Sequence, residues 1–173
     1  MRLERELAAE GDVLGDPVQL GQVIHNLLTN AIEATEGAGG GVVRLSTRRV
    51  ERTDLRARGG EALPSGAFVL LEVRDEGPGI APEVEGRLFD PFVTSKEGGR
   101  GLGLAAVQGL VTAHGGAIEV ESSPSGACFR LWLPLAEPAE EPAPESAPPP
   151  VASEPLGRGR ILVVDDSKVI RLT

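Results

Sequence analysis

Apolar positions along the chain fall into runs with the period of regular structure. Over residues 17–36, Leu20, Val23, Ile24, Leu27, Leu28, Ala31 and Ile32 recur at the i, i+3, i+4 spacing of an amphipathic helix. Asp16-Pro17 predicts its start, with aspartate as N-cap and proline at the first helical position, and the glycines of residues 37–41 predict its end. Residues 42–50 (VVRLSTRRV) and 68–75 (FVLLEVRD) are β-branched and apolar enough to be strands, joined over 51–66 by a charged loop or wide hairpin. Residues 104–114 (LAAVQGLVTAH) predict a helix closed by Gly115-Gly116, with His114 as a C-capping residue. Residues 117–121 and 127–133 alternate apolar with polar across the turn SSPSG, which predicts a hairpin in which Cys128 is ordinary strand packing.

Shorter signals fill the gaps. Residues 2–8 set Leu3, Arg5 and Leu7 against Arg2, Glu4 and Glu6, a period-2 pattern that suggests a short strand, with a helix the alternative, and Val13-Leu14 suggests another strand. Residues 82–88 predict a short helix with proline near its start, and Leu88-Phe89-Asp90-Pro91-Phe92 then gathers two of the four phenylalanines where the backbone cannot be regular. From 136 to 159 the pattern ends: the segment is rich in proline and glutamate, has hardly a large apolar side chain, and is expected to be a disordered, extended linker. Residues 160–166 (RILVVDD) read as a buried strand ending in two carboxylates.

Three polar features stand out against this frame. On the first helix, Gln22, Asn26, Asn30 and Glu33 fall in a band about 80° wide beside the apolar stripe, while His25 projects away from it. Two asparagines four apart are costly in a helix, because their side chains compete for backbone hydrogen bonds. The strand 68–75 ends in Asp75-Glu76-Gly77-Pro78-Gly79; a turn explains the glycines and proline but does not require the aspartate. Residues 98–104 (GGRGLGL) space Gly99, Gly101 and Gly103 at every second position ahead of a helix, so that an anion can approach bare backbone amides. This is neither a dinucleotide fingerprint, since residues 91–97 do not read as a strand, nor a P-loop, since Leu104 follows the last glycine.

Composition narrows the chemistry. With 17 basic and 26 acidic residues the net charge is −9, which disfavours nonspecific binding to nucleic acid or an anionic membrane surface, so a bound polyphosphate needs local help. Cys128, alone, excludes an internal disulfide, and with His25 and His114 as the only histidines no structural zinc site can be built; a metal would be a hard ion on oxygen ligands, with magnesium the natural candidate. The N-terminus does not read as a signal peptide and no run is long enough to cross a bilayer, so the chain as it stands is expected to be cytoplasmic, without membrane contact.

The order of parts is specific: an Asn-x-x-x-Asn helix, a strand ending in DEGPG, an FDPF segment, the glycine loop, a helix ending in HGG and a closing hairpin. It closely resembles the catalytic, ATP-binding domain of sensor histidine kinases, in the superfamily that also holds gyrase-type and Hsp90-type ATPases; the match covers residues 1–135. The resemblance implies an α/β two-layer sandwich of the Bergerat type, a mixed, mostly antiparallel sheet covered on one face by helices, binding ATP and Mg²⁺. It makes Asn26 and Asn30 the N box, with Asn30 the side chain that holds Mg²⁺ between the phosphates. Asp75 is then the acceptor of the adenine amino group, and Gly77 and Gly79 form the nucleotide wall. Phe89 and Phe92 root a lid whose glycine motif is Gly99, Gly101 and Gly103, with Leu102 and Leu104 beside them, and Lys96 and Arg100 are lid partners for phosphate oxygens. Asn26, Asn30 and Lys96 are the candidate catalytic residues.

The ATPases of the superfamily activate water with a glutamate one turn before the magnesium asparagine; here that position is Asn26, whose amide is no general base. The resemblance therefore implies a kinase, which passes its phosphoryl group to a histidine on a phosphoacceptor and dimerisation domain. Neither His25 nor His114 has that setting, so the chain is expected to be a fragment inactive in autophosphorylation. RILVVDD resembles the first strand of a response-regulator receiver domain, truncated at 160–173, where Asp165 and Asp166 would hold magnesium only in the complete domain. An anti-sigma-type serine kinase and a non-catalytic nucleotide-binding regulator share the ATP-binding fold; the 136–159 linker and RILVVDD favour a hybrid sensor kinase. If residues 94–101 form a lid ordered by the γ-phosphate, a protease cuts the free chain between Thr94 and Gly101 and Mg-ATP blocks the cut. Equal cleavage with and without nucleotide, read on a gel, would refute the lid.

Overall fold

The computed structural model describes residues 1–56, 62–94, 99 and 101–136. Its strands are β1 (Arg2–Leu7), β2 (Val42–Arg52), β3 (Gly66–Asp75), β4 (Ala117–Ser123) and β5 (Gly126–Pro134), and its helices α1 (Pro17–Gly37), α2 (Pro82–Glu85) and α3 (Gly103–Ala113). The five strands form one sheet in the order β1-β2-β3-β5-β4. β1 runs parallel to β2, with Leu3 opposite Val43, and every other pairing is antiparallel. This is the expected mixed sheet with helices on one face.

The pleat sorts the side chains. Val43, Leu45, Leu71, Val73, Phe129 and Leu131 share a core with Val23, Leu27 and Ala31 of α1 and Val107 and Val111 of α3. The opposite face carries a second, smaller cluster of Phe68, Leu70, Ala117 and Trp132, closed by Leu55 from the β2–β3 connection. β3 is therefore apolar on both faces over much of its length, which is why FVLLEV reads as a continuous run. Beyond the small cluster the same face turns to charge: Arg130 donates from Nε to Glu72 (2.9 Å) and from Nη2 to Glu121 (2.9 Å).

α1 begins as its sequence requires. Asp16 Oδ1 accepts from the amides of Val18 (2.8 Å) and Gln19 (3.3 Å), and Pro17 occupies the position where a missing N–H leaves nothing unsatisfied. α3 ends at His114, whose Nδ1–H donates to the Leu110 carbonyl (2.7 Å) while Nε2 accepts the Asp16 amide (3.1 Å). The end of one helix is thereby tied to the start of the other.

Two short elements differ from expectation. Val13-Leu14 is not a strand: Val13 makes one isolated bridge to Leu135, and Leu14 is 84% exposed. The helix expected over 82–88 stops at Glu85, after which Arg87 and Asp90 donate to carbonyls three residues back, because Gly86 and Pro91 bracket too few residues to propagate an α-helix. Lys96, Arg100, Asp165, Asp166, nearly all of the expected linker and the whole of 160–173 lie outside the described residues. No helix among the described residues is long and apolar enough to cross a membrane.

Leu27, fully buried between α1 and the sheet, gives a direct test of this packing. Leu27→Ala is expected to lower unfolding stability by about 2–5 kcal/mol, against less than about 0.5 kcal/mol for Leu14→Ala at the surface. Urea unfolding of the two variants beside the parent checks it; equal losses would contradict the packing.

Candidate functional site

A cavity of about 570 Å³ opens between α1, the turn after β3, the 84–94 segment and the start of α3. Its walls divide by chemistry. Ile80, Val84, Leu88, Leu104 and Phe129 supply apolar surface, while Asn30, Glu33, Asp75 and Thr94 supply polar groups. An apolar slot with a few converging polar side chains is the usual form of a small-molecule site.

Asp75 closes one end. It is 5% exposed at the tip of β3, and its Oδ1 accepts the amides of Gly77 (2.9 Å) and Ala127 (3.2 Å). With one oxygen held from two directions the carboxylate has a single orientation, and Oδ2 remains as an acceptor for a ligand. The glycines that follow are required by close approach: a Cβ on Gly77 would stand 2.9 Å from the Ala34 Cβ, and one on Gly79 would stand 2.1 Å from the Ser123 carbonyl oxygen.

The other end is built from α1 and the glycine segment. Asn30, half-buried, lines the cavity with Glu33 one turn further on. Opposite them Gly99, Gly101, Leu102, Gly103 and Leu104 line it as the chain enters α3. Among the described residues no side chain caps α3 and its first turn carries no acidic residue, so its leading amides can face an anion, favoured further by the helix dipole. Phe92 and Gly101 pin the base of the segment, the Phe92 amide donating to the Gly101 carbonyl (2.9 Å).

The structure thus brings Asn30, Asp75, Gly79, Gly99, Gly101, Leu102, Gly103 and Leu104 to one cavity. It does not bring every expected residue there. Asn26 points its amide at the start of α3, where Nδ2 donates to the Gly103 carbonyl (3.3 Å). Gly77 stands behind the wall, packed on α1. Phe89 is buried in the main core, and Phe92 is 77% exposed with a left-handed φ of 68°. Of the apolar lining, Leu102 and Leu104 are expected from sequence, whereas Ile80, Val84, Leu88 and Phe129 are not, although Val84 and Leu88 stand four apart and Ala127 and Phe129 share a strand face.

Among the described residues no group of three or more His, Cys, Asp or Glu could cage a metal. Asn30, with Glu33 one turn on, offers oxygen donors at this end of the cavity, the donor type a hard cation such as magnesium would use if it arrived with a ligand that supplied its other ligands.

A cavity framed in this way by a mixed sheet, an Asn-bearing helix and a glycine-lined helix start defines a nucleotide-binding class of fold. Residues 15–137 match the family model described as histidine kinase-, DNA gyrase B- and HSP90-like ATPase, and the chain belongs to that family. Among similar proteins, the sensory histidine kinase/phosphatase NtrB of Rhodobacter capsulatus is 44% identical over 128 residues, 71% of this chain and 34% of that protein. The C4-dicarboxylate transport sensor protein DctB of Rhizobium meliloti is 45% identical over 123 residues, 71% of this chain and 17% of that protein. The chain therefore spans about a third or less of these relatives. Of solved structures, full-length ShkA in complex with AMPPNP aligns with a TM-score of 0.57 at 33% identity, covering 78% of this chain and 26% of that one. The mycobacterial sensor histidine kinase MprB aligns at 0.56 and 29%, covering 77% and 82%.

Proposed function

We propose that this chain is the ATP-binding catalytic module of a two-component sensor histidine kinase, passing the γ-phosphate of ATP to a histidine on a separate phosphoacceptor and dimerisation domain. The observation that carries the reading is the cavity with Asp75 at one end and Asn30 facing the open amides of α3 at the other. Adenine fits the first end, where Oδ2 accepts its amino group and the apolar walls take the ring. The triphosphate fits the second, where backbone amides at the start of α3 offset its charge, and Lys96 and Arg100, outside the described residues, are the basic residues the sequence supplies for the same task. Asn30 would hold magnesium there, which would supply charge neutralisation. Phosphoryl transfer asks a protein mainly for positioning and charge neutralisation, which this arrangement can supply.

Histidine is favoured over water as acceptor. Asn26 has no basic group, and its amide is engaged by Gly103, so it is not arranged to activate a water molecule. NtrB and DctB are named as a sensory histidine kinase/phosphatase and a transport sensor. Within this chain His25 is an exposed residue of α1 and His114 joins two helices through both ring nitrogens, so the acceptor belongs to another domain. The Pro-rich 136–159 stretch followed by RILVVDD, with its Asp165-Asp166 pair, supports the further reading that the parent is a hybrid kinase with a receiver domain, acting in the cytoplasm.

Two measurements test the proposal. Mg-ATP titration is expected to give binding that Asn30→Ala and Asp75→Asn each weaken by about tenfold or more. The asparagine keeps an acceptor for Gly77 and Ala127 but turns a donor toward the adenine amine; affinity equal to the parent in both variants would overturn the site. Incubation with γ-labelled ATP is expected to leave the chain alone unlabelled and to label an added phosphoacceptor domain. Acid-labile phosphohistidine on this chain itself would refute the division of roles.

A further inference from the structure

We infer that Ser122, near the end of β4 and outside the cavity, is a positioning residue that sets the base-side wall of the nucleotide site. The inference rests on the nucleotide reading above. Ser122 is half-buried, and its Oγ accepts the amide of Ile80 at 2.7 Å, a bond that spans 42 residues of sequence. Ile80 and its neighbour Gly79 both line the cavity; Ser122 does not. At the same place Gly79 runs against the β4–β5 turn so closely that a Cβ would stand 2.1 Å from the Ser123 carbonyl oxygen and 3.0 Å from the Ser122 hydroxyl.

Across the hairpin the same device is repeated on Asp75. The Ala127 amide donates to Oδ1, and Gly126 lies so near the Asp75 carbonyl oxygen that a Cβ there would stand 1.9 Å from it. The 75–80 segment is thus fastened to the hairpin at both ends, by a backbone amide at Asp75 and by one hydroxyl at Ile80. Between these points lie Gly77, Pro78 and Gly79. Among the described residues they make no hydrogen bond to the hairpin, so the hydroxyl is what fixes how far the wall leans into the cavity. Removing it leaves the partly buried Ile80 amide without its partner, and the segment relaxes toward a position in which that amide finds water.

The test compares Ser122→Ala and Ser122→Thr with the parent, using two ligands: Mg-ATP and metal-free ADP. Both share the base, and only the first uses the metal and γ-phosphate end. Ser122→Ala is expected to weaken both by the same factor, about tenfold, and Ser122→Thr, which restores the acceptor, is expected to recover both. If the alanine variant does not fold, Ser122→Cys, similar in volume and a weak acceptor, is read in the same way. Parent-like affinity for both ligands, or a loss confined to Mg-ATP, would overturn the inference, as would lowered unfolding stability with unchanged affinity. Failure of the parent to bind either nucleotide would instead sink the nucleotide reading itself.

Discussion

Two backbone amides hold one carboxylate oxygen, and the site depends on that arrangement. Asp75 sits at the end of β3, the central strand of the sheet, and its Oδ1 joins its own turn, through Gly77, to the neighbouring strand, through Ala127. A buried carboxylate with no partner would be strongly unfavourable, so the hydrogen bonds are a condition of its being there at all. They also demand the glycines around it. The chain can come close enough to donate only where Gly77 and Gly126 present no side chain, which gives those positions a structural reason independent of any ligand.

The far end of the cavity depends on how α1 and α3 register. Asp16 at the start of α1 meets His114 at the end of α3, and Asn26, further along α1, meets Gly103 at the start of α3. Ten residues separate Asp16 from Asn26 and eleven separate Gly103 from His114, so each pair of anchors spans about 15–17 Å of helix at 1.5 Å per residue. The matched spans require the helices to run antiparallel, and they fix α3 lengthwise. Asn30 follows Asn26 by one turn and so lies just past the start of α3, on the cavity wall with the open amides. Asn26 thereby has a structural reason to stand in a helix it would otherwise weaken: its bond to Gly103 fixes how Asn30 stands relative to the start of α3.

Most of the frame was legible because it obeys local rules. The cap at Asp16-Pro17, the 3.6-residue stripe of α1 and the alternation of β4 and β5 each follow from residues within a few positions of one another. The shortest elements were read only in part: α2 starts at Pro82 as expected but is cut short by Gly86, and Val13, instead of a strand, makes an isolated bridge to Leu135. The site divides along the same line. Asn30, Asp75 and the glycine segment carry unusual residues that draw notice in sequence. The apolar wall of Ile80, Val84, Leu88 and Phe129 does not, because such residues are equally at home in any core. The partners of Asn26 and Ser122 are fixed only by tertiary structure, 77 and 42 residues away.

Rigidity is distributed unevenly around the cavity. β3 and β5 are covered on the helix side by the main core and over part of the other side by Phe68, Leu70, Trp132 and Leu55, so Asp75 and Ala127 ride on strands that cannot shift without disrupting packing. The 84–94 segment has less to hold it. Phe89 is buried in the core, but three residues later Phe92 is exposed and takes a left-handed backbone, a conformation that costs a bulky residue roughly 1–3 kcal/mol. Its amide's bond to the Gly101 carbonyl helps offset that cost, and Gly101 is the residue that lets the two strands of chain meet, since a Cβ there would stand 2.5 Å from the Phe92 carbonyl carbon. Phe92 and Gly101 therefore meet in a strained clasp at one side of the cavity, while the 75–80 wall at the other leans on the rigid hairpin. Among the described residues the cavity thus has one end built on packed strands and another end held by the Phe92–Gly101 contact.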